Sequence, residues 1–153
     1  MSLSTFGAIM GFATEMVSQS GNIYQSLAHQ AKDHGLKETL QALSAEETKN
    51  HSLMEQTRRE NVTEMILEPI AGLQKEDYEI NLKEEERMED GDLVRIALAL
   101  EKREKRFFSD ASSKLPLPEV ARIFRKIAQR KQENITRLQD LGFNQTLKRS
   151  ISA

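Results

Sequence analysis

The sequence has no cysteine and no tryptophan. Without cysteine the chain forms no disulfide and no thiolate metal site, which fits a reducing, cytoplasmic setting. Proline occurs three times and aromatic residues make up 5% of the chain, while 30% of it is charged. That profile argues against a sandwich of short strands and points to an all-α protein. The charges nearly cancel, to a net −2, so a dedicated nucleic-acid binder is not expected. The basic letters of "EKREKR" (101–106) alternate with acids and read as a solvated helix face. Residues 1–31 hold no Lys or Arg, and Glu15 is their only acid. They lack the basic start of a secretory signal. Polar residues also interrupt the run of about 20 apolar residues that a membrane span needs. A buried helix of a soluble protein is expected there, with no membrane partner.

What the chain does have is helical periodicity, over a length sufficient for one domain with a real core. It predicts helices over about Ser4–Asp33, Leu36–Glu60, Asp92–Ser113 and Pro118–Leu141. Gly35 separates the first two, Asp92 can cap the third, and "LPLP" (115–118) separates the last two. Gly142 is the expected stop of the fourth, leaving a single domain over 1–141 and a flexible tail over 142–153. The apolar spacing within these helices repeats in steps of three and four. Helix 2 gives Leu36, Leu40, Leu43, Glu47, Asn50 and Met54. Helix 4 gives Val120, Phe124, Ile127, Lys131, Asn134 and Leu138. Helix 1 gives Met10, Ala13, Val17, Ser20, Tyr24, Leu27 and Ala31, and helix 3 gives Ala97, Glu101, Glu104, Phe108, Ala111 and Leu115. Such steps place one stripe of each helix against its neighbours.

The two halves superpose without a gap at an offset of 84 residues: Tyr24 falls on Phe108, Leu43 on Ile127 and Asn50 on Asn134. Each half is therefore a helical hairpin, and a long crossover, about 61–91, joins them. That connectivity belongs to ferritin-like bundles. The seams also turn polar at one depth, with Glu47 and Asn50 on helix 2, Glu101 and Glu104 on helix 3, and Lys131 and Asn134 on helix 4. Lone polar residues in a core are common; a shared level on three helices is not.

On these residues the chain resembles the rubrerythrin branch of the ferritin-like superfamily, over most of 10–140. The resemblance implies two irons held by a Glu on the first helix of each half, seven residues before a Phe or Tyr, and by Glu-x-x-His on the second. Bundles of that kind reduce peroxide or oxidise iron. Glu101 matches the first-helix ligand, Glu104 an additional carboxylate one turn later, and Glu47 the Glu of Glu-x-x-His. The other ligands are replaced: Val17 and Lys131 stand where Glu should be, and Asn50 and Asn134 where His should be. The expectation is a degenerate site without cofactor, in which Lys131 supplies the positive charge the irons would have brought, and a protein that leans away from catalysis.

Two functions follow. One is a non-catalytic protein acting through self-association, as a homodimer or larger homo-oligomer, or through an unidentified protein partner. Phe12, Met16 and Ile23 on the charge-poor first helix would form the interface. The other is a metal-binding oxidoreductase or carrier that holds Fe or Mn on Glu47, Glu101, Glu104 and His51, the last four residues from Glu47 but about 100° off the seam. No Ser-His-Asp arrangement, glycine-rich phosphate loop or zinc motif is present.

Overall fold

The computed structural model describes residues 2–61, 69–82 and 88–152. Four long α-helices account for most of them: α1 (Phe6–Gln30), α2 (His34–Glu60), α3 (Asp90–Lys114) and α4 (Pro118–Ser152). A short 3-10 helix, Lys75–Tyr78, lies between α2 and α3. The described residues contain no strand, only an isolated bridge between Ser2 and Gln74. No helix among them is long and apolar enough to cross a membrane.

The helix starts follow from capping chemistry. The Thr5 side chain accepts from the Ala8 N–H (3.0 Å) and the Asp33 side chain from the Leu36 N–H (2.9 Å), each satisfying a donor the helix itself leaves free. Asp92 does not cap α3. It sits on the third helical residue and its carboxylate reaches back to the Glu89 N–H at 3.1 Å, so the helix begins two residues earlier than the sequence predicts. Pro118 opens α4, where its missing N–H costs nothing. Gly142 does not end that helix, which runs on to Ser152. A side chain at Gly142 would come within 3.3 Å of Val94 Cγ1, so the glycine serves close packing against α3 rather than a stop.

Helices α1 and α2 pack as one hairpin and α3 and α4 as the other. Tyr24 meets Ala97 and Glu101 while Phe12 meets Phe107, so α1 and α3 run antiparallel where the hairpins touch. Every predicted seam position is buried, the polar ones included. Their apolar members, with neighbouring apolar residues, form two clusters. One centres on Phe107, Phe108 and Phe124 with Met10, Ala13 and Met54. The other holds Tyr24, Leu27, Leu36, Leu40, Leu93 and Leu100. Each fully buried Phe or Leu contributes about 1.5–3 kcal/mol. The polar level lies between the two clusters.

The segment 69–82 covers part of α1. Leu3 donates its N–H to Leu73 O (2.9 Å) and Ile70 its N–H to Ser4 O (2.7 Å). Tyr78 packs edge-on against Phe107, tilts over Phe12 and donates its hydroxyl to Asp110 Oδ2 at 2.6 Å. This revises the reading of the charge-poor helix. Met16, expected between chains, is buried inside its own chain, and Phe12 and Ile23 are half-buried. Much of the surface that lacked charge is covered by the connecting segment. The sequence hid this because the covering residues, Ile70, Leu73 and Tyr78, are scattered singly through it.

Candidate functional site

The polar level is a closed network around one ammonium. Lys131 Nζ lies 2.6 Å from Glu47 Oε1, 3.1 Å from Glu101 Oε1 and 3.8 Å from Glu104 Oε1, and all four side chains are fully buried. Their positions follow from the helix repeat. Glu101 and Glu104 are three apart on α3 and share a face, and Lys131 enters from α4 across the bundle from Glu47 on α2. The amides fill the remaining valences. Asn50 Nδ2 donates to Glu47 Oε1 (3.0 Å), and Asn134 Nδ2 donates to Glu101 Oε2 (3.1 Å) and to Glu46 Oε1 (3.0 Å). Tyr24 donates its hydroxyl to Glu101 Oε1 at 2.6 Å. Glu101 thus accepts from a lysine, an amide and a phenol, the pattern of a charge-assisted cluster.

Three oxygens have no donor, Glu47 Oε2 and both oxygens of Glu104. A proton on Glu104 resolves part of this, since the acid form bonds to Glu47. Burial pushes the Glu104 carboxyl well above the usual carboxylate range; Lys131 opposes the shift and Glu47 and Glu101 add to it. Burial also raises Glu101, against the pull of Lys131 and Tyr24. Burial alone would lower Lys131, but Glu104, Glu101 and Glu47 outweigh it and keep the ammonium charged. Burial and the Glu101 charge raise the Tyr24 hydroxyl far above its ordinary value, so it stays a donor. Removing each ion from water costs on the order of several kcal/mol, and the ammonium and its bonded partners offset that cost.

The residues do not fit a di-iron centre. Among the described residues no group of three or more His, Cys, Asp and Glu is arranged to hold a metal ion. Lys131 Nζ sits where the carboxylates converge, and a resident ammonium repels an entering cation. Val17 brings only apolar surface from α1, and Asn50 and Asn134 present amide nitrogens to carboxylates. His51 is half-buried and turns to Glu55 Oε1 at 3.4 Å, outside the network. What the arrangement can do is hold one ammonium among three buried carboxylates, with protons shared between them.

The structure thus brings Glu47, Asn50, Glu101, Glu104, Lys131 and Asn134 together. It adds two members that sequence reasoning passed over. Tyr24 was legible as a seam residue, but its hydroxyl gave no sign of its partner. Glu46 lies one position off the seam and enters only because Asn134 reaches it. No protein-family model matches the chain, and no curated protein does. The fold is similar to that of a solved structure, a hypothetical protein from Pyrococcus furiosus. The two share 22% sequence identity over 89% of each chain, with a TM-score of 0.66, a likeness that shows the fold alone.

Proposed function

We propose that the chain is a ferritin-like, rubrerythrin-type bundle that has exchanged its di-iron centre for an internal cation, and that it acts without catalysis through a second copy or a protein partner. One observation carries the reading: the Lys131 ammonium lies among Glu47, Glu101 and Glu104, the carboxylates that match ligand positions in that family. The chain path supports it. Ile70 bonds to Ser4 at the start of α1, while Asp90 accepts from the N–H groups of Lys32 and Asp33 beyond the other end of that helix. These two points of the link therefore lie at opposite ends of α1, about 36 Å apart at 1.5 Å per residue, the separation that a ferritin-like crossover bridges. Association is supported by Gly11. A helical glycine costs about 1 kcal/mol against alanine, and a Cβ at Gly11 would meet nothing within 4 Å in this chain.

Metal analysis of protein purified without chelators tests the reading. Less than one tightly bound transition metal per chain is expected, together with no ferroxidase or peroxidase activity. Two metals per chain, lost on mutation of Glu47 or Glu101, would overturn it. Sedimentation of the wild type at micromolar concentration tests association, and a monomer would remove that half of the proposal.

A further inference from the structure

Arg103 lies between Glu101 and Glu104 in sequence but faces the other way, toward a cleft beneath residues 80–82. Its η2 nitrogen donates to Ser20 Oγ at 2.9 Å, and its Nε is buried with no hydrogen-bond partner. No ion pair to it occurs among the described residues. Burial lowers the Arg103 pKa from its ordinary value, and Glu104, Tyr24 and Glu47 on the core side oppose that shift without bonding to it. The cleft it lines has a volume of about 530 Å³, with Ile23 on α1 and Ile80 and Leu82 on the connecting segment as apolar walls. Asn22 and Asn81 are among its neutral polar groups, and among the described residues Arg103 is the only charged one in the lining. A volume in the small-molecule range, apolar walls and one convergent cation make a typical ligand site. The neighbouring cleft, which also touches Arg103, differs: it includes Glu15, Glu79 and Lys75, so its charges cancel.

We infer that the cleft between α1 and residues 80–82 binds a small monocarboxylate with an apolar body, the carboxylate pairing with Arg103 and the body lying between Ile23, Ile80 and Leu82. The outer edge of a planar guanidinium, with its two η nitrogens, offers a carboxylate two parallel donors. An uncharged molecule of the same shape would leave that cation as poorly satisfied as it is now. The cleft shares no lining residue with the Lys131 network, so its test can fail without bearing on the proposed loss of the metal centre.

The test uses the full chain, with octanoate as probe and octanol as its uncharged control, by calorimetry and thermal shift. Octanoate is expected to bind and raise the melting temperature, with affinity about tenfold or more above that of octanol. Arg103→Gln should lose that preference. Because this variant also removes the bond to Ser20, Asn81→Asp gives a second route. It adds a carboxylate at the exposed rim of the cleft and should weaken octanoate by about tenfold, leaving the fold intact by circular dichroism. Equal binding of octanol and octanoate would overturn the inference. So would octanoate binding that survives both substitutions, or no octanoate binding at millimolar concentration.

Discussion

The two hairpins answer the same positions differently. The first carries Val17, Ser20, Glu47 and Asn50 at the polar level; 84 residues on, the second carries Glu101, Glu104, Lys131 and Asn134. Positions related by the repeat meet across the bundle. Glu47 pairs with Lys131 at 2.6 Å and its neighbour Glu46 with Arg130 at 3.4 Å, both across the 84-residue offset. Identical halves would put like charge against like charge at these points, and only an outside cation could then quiet the core. Opposite charges at the paired positions need none there. The lesson is that a repeated fold can neutralise a buried carboxylate from within when one copy of a repeated position changes sign.

The largest expected effect comes from erasing that asymmetry. Val17→Glu, Asn50→His, Lys131→Glu and Asn134→His together make the halves alike at all related positions of the polar level but Ser20 and Glu104, and restore the ligand set of the resemblance. The apo protein should be severely destabilised, because it buries several carboxylates without a counter-ion. Fe(II) should rescue it, by about 4 kcal/mol at a thousandfold excess over its dissociation constant. A melting temperature indifferent to Fe(II), in a variant shown to be helical, would mean that the four positions do not converge as ligands.

Breaking the pair from one side comes next. Lys131→Ala strands Glu47, Glu101 and Glu104 and should cost about 3–5 kcal/mol near neutral pH. The charge-swapped double variant Glu47→Lys, Lys131→Glu should be more stable than either single change, and urea denaturation of the set measures the coupling. The pH dependence has a fixed sign. Glu101 and Glu104 have raised pKa values in the folded chain, so folding takes up protons there. Their contribution is full below the unfolded carboxylate range and is lost as pH rises through the folded values. Without the ammonium those values climb further, so Lys131→Ala should regain stability in acid more than the wild type does. By contrast, Arg130 is 60% exposed, and breaking its pair with Glu46 should move stability by less than about 1 kcal/mol.

Tyr24→Phe removes the phenol that α1 contributes to Glu101, where the second half has Phe108 instead. A buried hydrogen bond to a carboxylate contributes about 1.5–3 kcal/mol, so thermal and urea unfolding should both shift by that order. The smallest effect is at Gly11. In an isolated chain Gly11→Ala should stabilise α1 by up to about 1 kcal/mol, since the added methyl meets open space. If helix 1 packs on a second copy there, the same change should weaken the oligomer in sedimentation while raising monomer stability.

Much of this was legible in the sequence, and the reason is periodicity. Steps of three and four mark one face of a helix whether the residue is Leu or Lys, so Lys131 and Asn134 could be placed in the core because Ile127 and Leu138 flank them at the right spacing. Arg103 was not legible, since it lies off the seam among the solvated-looking letters of "EKREKR". Its burial depends on residues 80–82, far away in the chain. The segment 69–82 escaped for a related reason. Its anchors have no period, and Tyr78 is fixed by partners on α1 and α3 that only the fold brings near. The end of α4 was misread because Gly142 is spared a side chain by Val94 and not by a turn.

The polar level parts the apolar interior into two clusters, and that division makes it a ruler. Greasy surfaces alone tolerate sliding, because leucine facing valine one turn away is nearly as good. A slip of α4 by one turn, about 5.4 Å, would carry Lys131 out of its carboxylates and into either the phenylalanine cluster or the leucine cluster. An unpaired ammonium there costs more than repacking the apolar side chains could return. The charges therefore admit one alignment of the two hairpins, and the sequence retains in its core a mark against which every turn of the four helices is set.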